Sequence, residues 1–253
     1  MKTTEIDAFF RSFLDIDGFA SSDKAMNGIQ VDNDGSPVRK VAFAVDAAME
    51  TFAKAAAANA GMLFVHHGLF WGSPLRICGN QRQRIKFLLD HNICLYAVHL
   101  PLDQHPKFGN NAVIAELLSL KNIEPFGLYH GKKIGCKGVF LAPVTIDEAV
   151  KKINFMDRPA VGVFPFGKKE NLTAAIASGG SADNAKEAVE EGIDLFITGE
   201  SSHQVYHYCL EGKLNMIAAG HYSSEVWGLE AVMRHCRTEL GLEAEFIDVP
   251  TGL

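Results

Sequence analysis

The sequence predicts an α/β fold made of two related α/β lobes, each a mixed sheet flanked by helices. Short runs rich in Val, Ile, Leu and Phe, such as Leu63-Phe64-Val65, recur along the chain and stop at Gly, Pro or a polar residue. Between them lie longer segments whose apolar residues recur every three or four positions, the period of a helix with one buried face. Strands alternating with helices in this way specify layered α/β architecture with parallel or mixed sheets.

Taken in order, the first helix is expected over residues 4–14, where Glu5, Asp7 and Arg11 interrupt an apolar stripe. A strand at 39–45 leads into the alanine-rich helix at 46–60, and a second strand follows at 61–66. Helix 80–91, strand 93–98 and helix 109–120 continue the alternation. Beyond them come strand 136–142, helix 145–155, strands 160–164 and 173–178, and helix 182–191. Strand 193–198, helix 202–211, strand 214–219, a long helix at 222–240 and strand 244–249 complete the chain. The Gly- and Lys-rich stretch from Gly127 to Gly138 is the expected boundary. It gives an N-terminal α/β lobe at 1–128 and a C-terminal α/β lobe at 129–253, with a site expected in the cleft between them.

Composition sets limits on function. A chain of 253 residues, 47% hydrophobic and 21% charged, has ample material for a globular core. Its 24 basic and 30 acidic residues give a net charge of −6, which disfavours a nucleic-acid-binding surface. Lys132-Lys133, Lys151-Lys152 and Lys168-Lys169 are doublets on solvated faces, not basic runs. No apolar segment approaches the roughly 18 residues of a membrane span, and the N-terminus reads as an amphipathic helix rather than a signal peptide. The five cysteines are widely separated and form no Cys-x-x-Cys pair, so zinc-ribbon and thioredoxin-like motifs are excluded. A reduced, cytoplasmic compartment is the expectation.

Chemistry gathers at the ends of the strands. Leu63-Phe64-Val65-His66-His67-Gly68 delivers two histidines where a buried strand opens into a loop. Strand ends are where α/β proteins place their reactive groups, and imidazole is the commonest ligand for transition metals. One such pair would more often be structural, but partners follow other strands. Val98-His99-Leu100-Pro101-Leu102-Asp103 ends in a histidine and a turn that aims a carboxylate. Asp103 is the better ligand candidate; His99 fits either direct ligation or support of a ligand. Gly220-His221-Tyr222-Ser223-Ser224-Glu225 opens the long helix, and residues four apart share one helical face, so His221 and Glu225 can reach one ion. His66, His67, Asp103, His221 and Glu225 together suit Zn, Fe, Mn, Ni or Co better than Ca or Mg. Five ligands exceed the three of a usual catalytic zinc, and with a bridging carboxylate they fit two divalent ions per chain.

These segments resemble the signature motifs of the NIF-three-like dinuclear metal-centre hexameric proteins, whose members are often called GTP cyclohydrolase type-two homologues. Asn27-Gly28-Ile29-Gln30-Val31 is similar to that family's N-terminal element, although Ser22-Asp23-Lys24-Ala25-Met26 departs from its usual lead-in. Ser178-Gly179-Gly180-Ser181-Ala182 and Ile197-Thr198-Gly199-Glu200 also fit. The resemblance runs from about residue 27 to 228. It implies the NIF-three-like fold, a dinuclear metal site on His66, His67, Asp103, His221 and Glu225, and a toroidal homohexamer with its sites facing an internal cavity.

Two functional classes remain open. One is a metal-dependent hydrolase in which activated water attacks a nucleotide or phosphoester. The other is a non-catalytic metal-binding, trafficking or scaffold assembly acting through protein partners. Glu200 and His203, which follow another strand end, favour the enzyme as general acid/base candidates apart from the ligands. Ordinary capping of a helix by Ser201 or Ser202 is the competing account of that segment. The Ser178-Gly179-Gly180-Ser181 turn fits either a structural role or a phosphate cradle, lacking both the dinucleotide spacing and the Lys of a P-loop.

Overall fold

The computed structural model describes residues 1–253, which divide into two units: Met1–Leu102 with Leu229–Val249, and Asp103–Gly228 with Pro250–Leu253. In chain order the elements begin with α1 (Thr3–Phe13), β1 (Gly28–Val31), β2 (Lys40–Asp46), α2 (Met49–Ala57), β3 (Met62–His67), α3 (Gly79–Asp90) and β4 (Cys94–Ala97). They continue with α4 (Leu100–Gln104), α5 (Asn110–Leu117), β5 (Lys121–Tyr129), β6 (Lys132–Thr145), α6 (Ile146–Ile153), β7 (Gly162–Pro165) and β8 (Glu170–Ala177). The chain ends with α7 (Ala185–Glu190), β9 (Leu195–Thr198), α8 (His203–Glu211), β10 (Asn215–Ala218), α9 (His221–Leu240) and β11 (Glu243–Phe246).

The first unit holds a five-stranded sheet in the order β1-β4-β3-β2-β11, in which only the β1–β4 pairing is antiparallel. Its central strands are buried on both faces, so they read as continuous apolar runs rather than alternating ones. Helix α1 starts at a capping box in which the Lys2 backbone N–H donates to Glu5 Oε2 at 2.7 Å. Its Ile6 and Phe10, four apart, are fully buried. Phe10 meets Phe64 of β3 edge-on at 4.9 Å, and Phe64 stacks beside Tyr96 at 5.6 Å. The Tyr96 hydroxyl in this core donates to Asp7 at 2.9 Å.

The second unit holds a six-stranded mixed sheet in the order β5-β6-β8-β9-β10-β7. Strands β8, β9 and β10 run parallel, and β7, β6 and β5 extend the sheet with antiparallel pairings. Helix α6 starts where expected because Thr145 and Glu148 cap each other's backbone N–H groups. The Gly127–Gly138 stretch, expected as a lobe boundary, contains the turn between β5 and β6, whose strands pair directly within this unit. Strands β1 and β5 and the short helix α4 were not legible from sequence patterning. The alanine-rich helix α2 is shorter than its expected 46–60 span.

Four of the five cysteines are buried, and all five are free thiols. Burial pushes Cys94 and Cys136 up to about 12, so both are inert core residues. No helix is long and apolar enough to cross a membrane.

Asp194 anchors the entry to β9. Its carboxylate accepts Lys168 Nζ at 2.6 Å and the backbone N–H groups of Leu172 at 2.9 Å and Thr173 at 3.2 Å. Burial opposes ionisation there, but Lys168 and the two N–H donors outweigh it and hold the carboxyl below its usual range. A folded pKa below the unfolded one gives stabilisation that is present above about pH 4 and lost as pH falls through the folded value. Asp194→Asn is therefore expected to cost about 1–3 kcal/mol at neutral pH. In denaturation experiments the gap from wild type should narrow in acid; an equal gap at neutral and acid pH would contradict this account.

Candidate metal centre

In the first unit, β2, β3 and β4 end level with one another, since Asp46 pairs with His67 and Val65 with Ala97. That register gathers His66, His67 and His99, whose ligand nitrogens all lie within 4.8 Å of one another. His66 is fully buried, and its Nδ1 sits 2.9 Å from the Val98 carbonyl oxygen. A carbonyl can only accept, so Nδ1 carries the proton and Nε2 keeps its lone pair. His67 Nδ1 meets Asp46 Oδ1 at 2.8 Å, and His99 Nδ1 meets Asp23 Oδ1 at 2.9 Å. Three rings thus have Nδ1 tied to an acceptor, the arrangement that fixes the tautomer of metal-ligating histidines.

Asp23 is itself held firmly. Asn27 Nδ2 and the backbone N–H groups of Ala25 and Leu100 all donate to it at 2.9–3.0 Å. Burial works against its charge, but the bonds from His99, Asn27 and Ala25 win and lower its pKa. Asn27 Oδ1 also accepts the His99 backbone N–H at 2.7 Å. Gln30, in the same N-terminal segment, accepts the N–H of Leu69 at 2.6 Å and of Phe70 at 3.3 Å. Its Nε2 donates to the carbonyls of Met26 and Phe70. Gly68 lies against this amide, and a Cβ there would collide with it. The Asn27-Gly28-Ile29-Gln30 and His66-His67-Gly68 motifs are therefore one structural device.

In the second unit the parallel strands also end level, with Ala177 opposite Thr198 and Thr198 opposite Ala218. The loops that follow carry Ser178-Gly179, Gly199-Glu200 and Gly220-His221. The N–H groups of Gly199 and Glu200 both donate to the Gly179 carbonyl at 3.0 Å, and Gly220 N–H donates to Gly199 at 2.9 Å. His221 stands between two carboxylates, with Nδ1 2.6 Å from Glu200 and Nε2 3.2 Å from Glu225. Burial alone would depress His221, but Glu225 and Glu200 reverse that and push it up to about 9. Glu225 is buried, and its carboxylate lies within 4.8 Å of that of Asp103. Asp103 Oδ1 accepts Asn110 Nδ2 at 2.8 Å and Ser178 Oγ at 2.9 Å. Gly179 has φ of 64°, and a Cβ there would collide with Glu225 Oε1 and stand 3.2 Å from His221 Nε2.

The structure thus gathers His66 and His67 with His99 in the first unit, and brings Glu225 close to both His221 and Asp103 in the second. Glu200 belongs with the second as the partner of His221. His203 opens α8 at an exposed position. The Ser178–Ser181 turn is spent on structure: its first two N–H groups go to Asn111 Oδ1 at 2.8 Å and Ser224 Oγ at 3.0 Å. Sequence reasoning missed Asp23, Asp46, Asn110 and Asn111. Asp46 could have been found, because Phe43-Ala44-Val45-Asp46 is another apolar strand ending in a ligand-type residue.

The donors fit a divalent transition ion. Imidazoles held in one tautomer, buried carboxylates oriented by neutral amides and a hydroxyl, and a glycine where a side chain would intrude are what such a site requires.

This is an α/β protein with histidine and carboxylate donors at the carboxyl ends of its strands. The chain belongs to the Duf34/NIF3 (NGG1p interacting factor 3) family, whose description it matches over residues 1–252. It is 40% identical over 286 residues to a GTP cyclohydrolase 1 type 2 homolog of Treponema pallidum, with both chains fully covered. It is 44% identical over 253 residues, again with full coverage of both, to the protein of that name from Archaeoglobus fulgidus. The solved structure of a protein from Thermus thermophilus superposes with a TM-score of 0.90 at 35% identity over 100% of both chains.

Gly68→Ala is expected to displace the Gln30 amide and cost about 1–3 kcal/mol through its broken hydrogen bonds. Chemical denaturation would measure the loss. Stability equal to wild type would show that the Gln30 clamp contributes nothing to this loop.

Proposed function

We propose that the chain is a dinuclear divalent-metal-binding protein that acts as a metal-dependent hydrolase on a nucleotide or phosphoester. The observation that carries the reading is the triple Nδ1 anchorage of His66, His67 and His99. A structural histidine needs one such bond, whereas three converging rings with matched tautomers are best explained by a cation. In this reading His66, His67, Asp103, His221 and Glu225 hold two ions of the Zn, Fe, Mn, Ni or Co type. Glu225, close to both His221 and Asp103, would serve both ions, and His99 would be a supporting or additional ligand. When bound, the ions supply Lewis-acid activation of water and neutralise charge on the leaving oxygen.

The chain's own side chains do the rest. Asp46, Asp23 and the Val98 carbonyl keep the imidazoles in the ligating tautomer. Asn110 and Ser178 both donate to Oδ1 of Asp103 and so orient its carboxylate. Glu200 positions His221 through one oxygen, and its half-exposed carboxylate can take up a proton with the other. His203, on the next helix, serves the substrate. The name GTP cyclohydrolase 1 type 2 homolog, carried by the relatives, supports a nucleotide as the substrate class. Five free thiols suit a reduced, cytoplasmic setting.

Elemental analysis after metal loading should approach two equivalents per chain, and Glu225→Ala should reduce occupancy of both positions rather than one. Saturation at one equivalent would contradict the dinuclear reading. A nucleotide and phosphoester panel should show turnover abolished by chelation and restored by metal. Full metal content without turnover of any member would instead support the metal-trafficking or scaffold alternative. Glu200→Gln is expected to keep its metal and to lower the rate about a hundredfold or more; loss of metal would make Glu200 a ligand instead.

For assembly we propose the toroidal homohexamer of the resembling family. Sedimentation should give a particle of six subunits; a stable monomer at micromolar concentration would overturn that proposal and leave the metal reading intact.

A further inference from the structure

We propose that the second unit carries a pocket for a planar heteroaromatic ring, the base of a nucleotide, walled by Phe164, Phe166 and Tyr206. The cavity measures about 180 Å³. An apolar cavity of about 150 Å³ accepts benzene, so this one has room for a ring of nucleobase scale. The Tyr206 ring stands nearly perpendicular to both phenylalanines, at 88° to Phe164 and 78° to Phe166, with centroids 6.1 and 5.0 Å apart. Val205, Cys209 and Met216 also line it, and all three are buried, so the floor is apolar and fixed.

The lip has different chemistry. Ser201, Ser202 and His203 line the cavity as well. Ser202 occupies the cap position of α8, yet its hydroxyl makes no capping bond, so the capping account of this segment does not absorb it. Aromatic walls meet the faces of a base, while hydroxyls and an imidazole can donate to or accept from its polar edge. An aliphatic ligand would call for no polar lip. Tyr206 is 42% exposed, an aromatic surface left at the mouth of an apolar cavity. Ser201 directly follows Glu200, whose carboxylate holds His221 at 2.6 Å. The lip is therefore one peptide away from the carboxylate–histidine pair of this unit, as a base pocket serving that pair needs to be.

The proposal deepens the nucleotide reading and depends on it for biological meaning, but ring binding is measurable separately. Metal-loaded full-length protein would be titrated with guanosine, cytidine and ribose by calorimetry and saturation-transfer NMR. Saturable binding of a nucleoside and none of ribose is expected. Tyr206→Ala, at an exposed position, should weaken nucleoside binding about tenfold or more. Phe166→Ala should act in the same direction, with both variants checked for unchanged far-UV circular dichroism. No saturable nucleoside binding, equal binding of ribose, or wild-type affinity in both folded variants would overturn the pocket. Loss of the pocket alongside retained metal-dependent hydrolysis would leave the broader reading standing; nucleoside binding without any hydrolysis would sink that reading alone.

Discussion

The hydrogen bond at Nδ1 of each strand-end histidine is the constraint on which the rest depends. An imidazole that is free to turn can offer either nitrogen, and a site built from several of them would have no fixed donor set. Here the Val98 carbonyl, Asp46 and Asp23 each remove that freedom. Much of the first unit's local design serves those three acceptors. Asp46 is the last residue of β2 and lies opposite His67 in register, so sheet pairing itself sets their distance. Asp23 is fixed by Asn27 and by N–H groups of its own loop and of Leu100. Gln30 then fastens the loop that leaves His67.

In the second unit the equivalent discipline comes from close backbone approach. Three parallel strands end level, and the loops that follow are tied to one another through the Gly179 and Gly199 carbonyls. Only a residue without Cβ fits at 179, both for its left-handed φ and for the space occupied by Glu225. The asparagine pair at the start of α5 orients Asp103 and the Ser178 loop with neutral donors and acceptors, adding no charge that would compete for a cation. Glu200 and Glu225 flank His221 and favour its protonated form, so an ion taking that nitrogen must displace a proton.

The parts legible in the sequence were those where burial is continuous or a motif sits at a strand end. Strands β2, β3, β4, β8, β9 and β10 are apolar runs because helices cover both faces of a parallel sheet. The ligand candidates were visible because each follows such a run. Strand β5 was hidden: most of its residues are exposed, and it exists through pairing with β6 rather than through an apolar stripe. Strand β1 spans four residues with a glycine at φ of 105°, a pattern indistinguishable from loop. Asp23, Asn110 and Asn111 were missed because polar residues held by tertiary hydrogen bonds have no periodicity to reveal them. Helix α2 stopped short of its alanine-rich span because propensity alone sets no end point; Asn59, with φ of 57°, terminates it.

We propose that oriented imidazoles and carboxylates, and no thiol, hold divalent metal in this protein. X-ray absorption at the edge of the bound metal tests it directly. The account predicts nearest neighbours of nitrogen and oxygen at about 2.0–2.2 Å, with more distant scattering from imidazole rings. Sulfur neighbours near 2.3 Å, or oxygen neighbours alone without imidazole scattering, would contradict it.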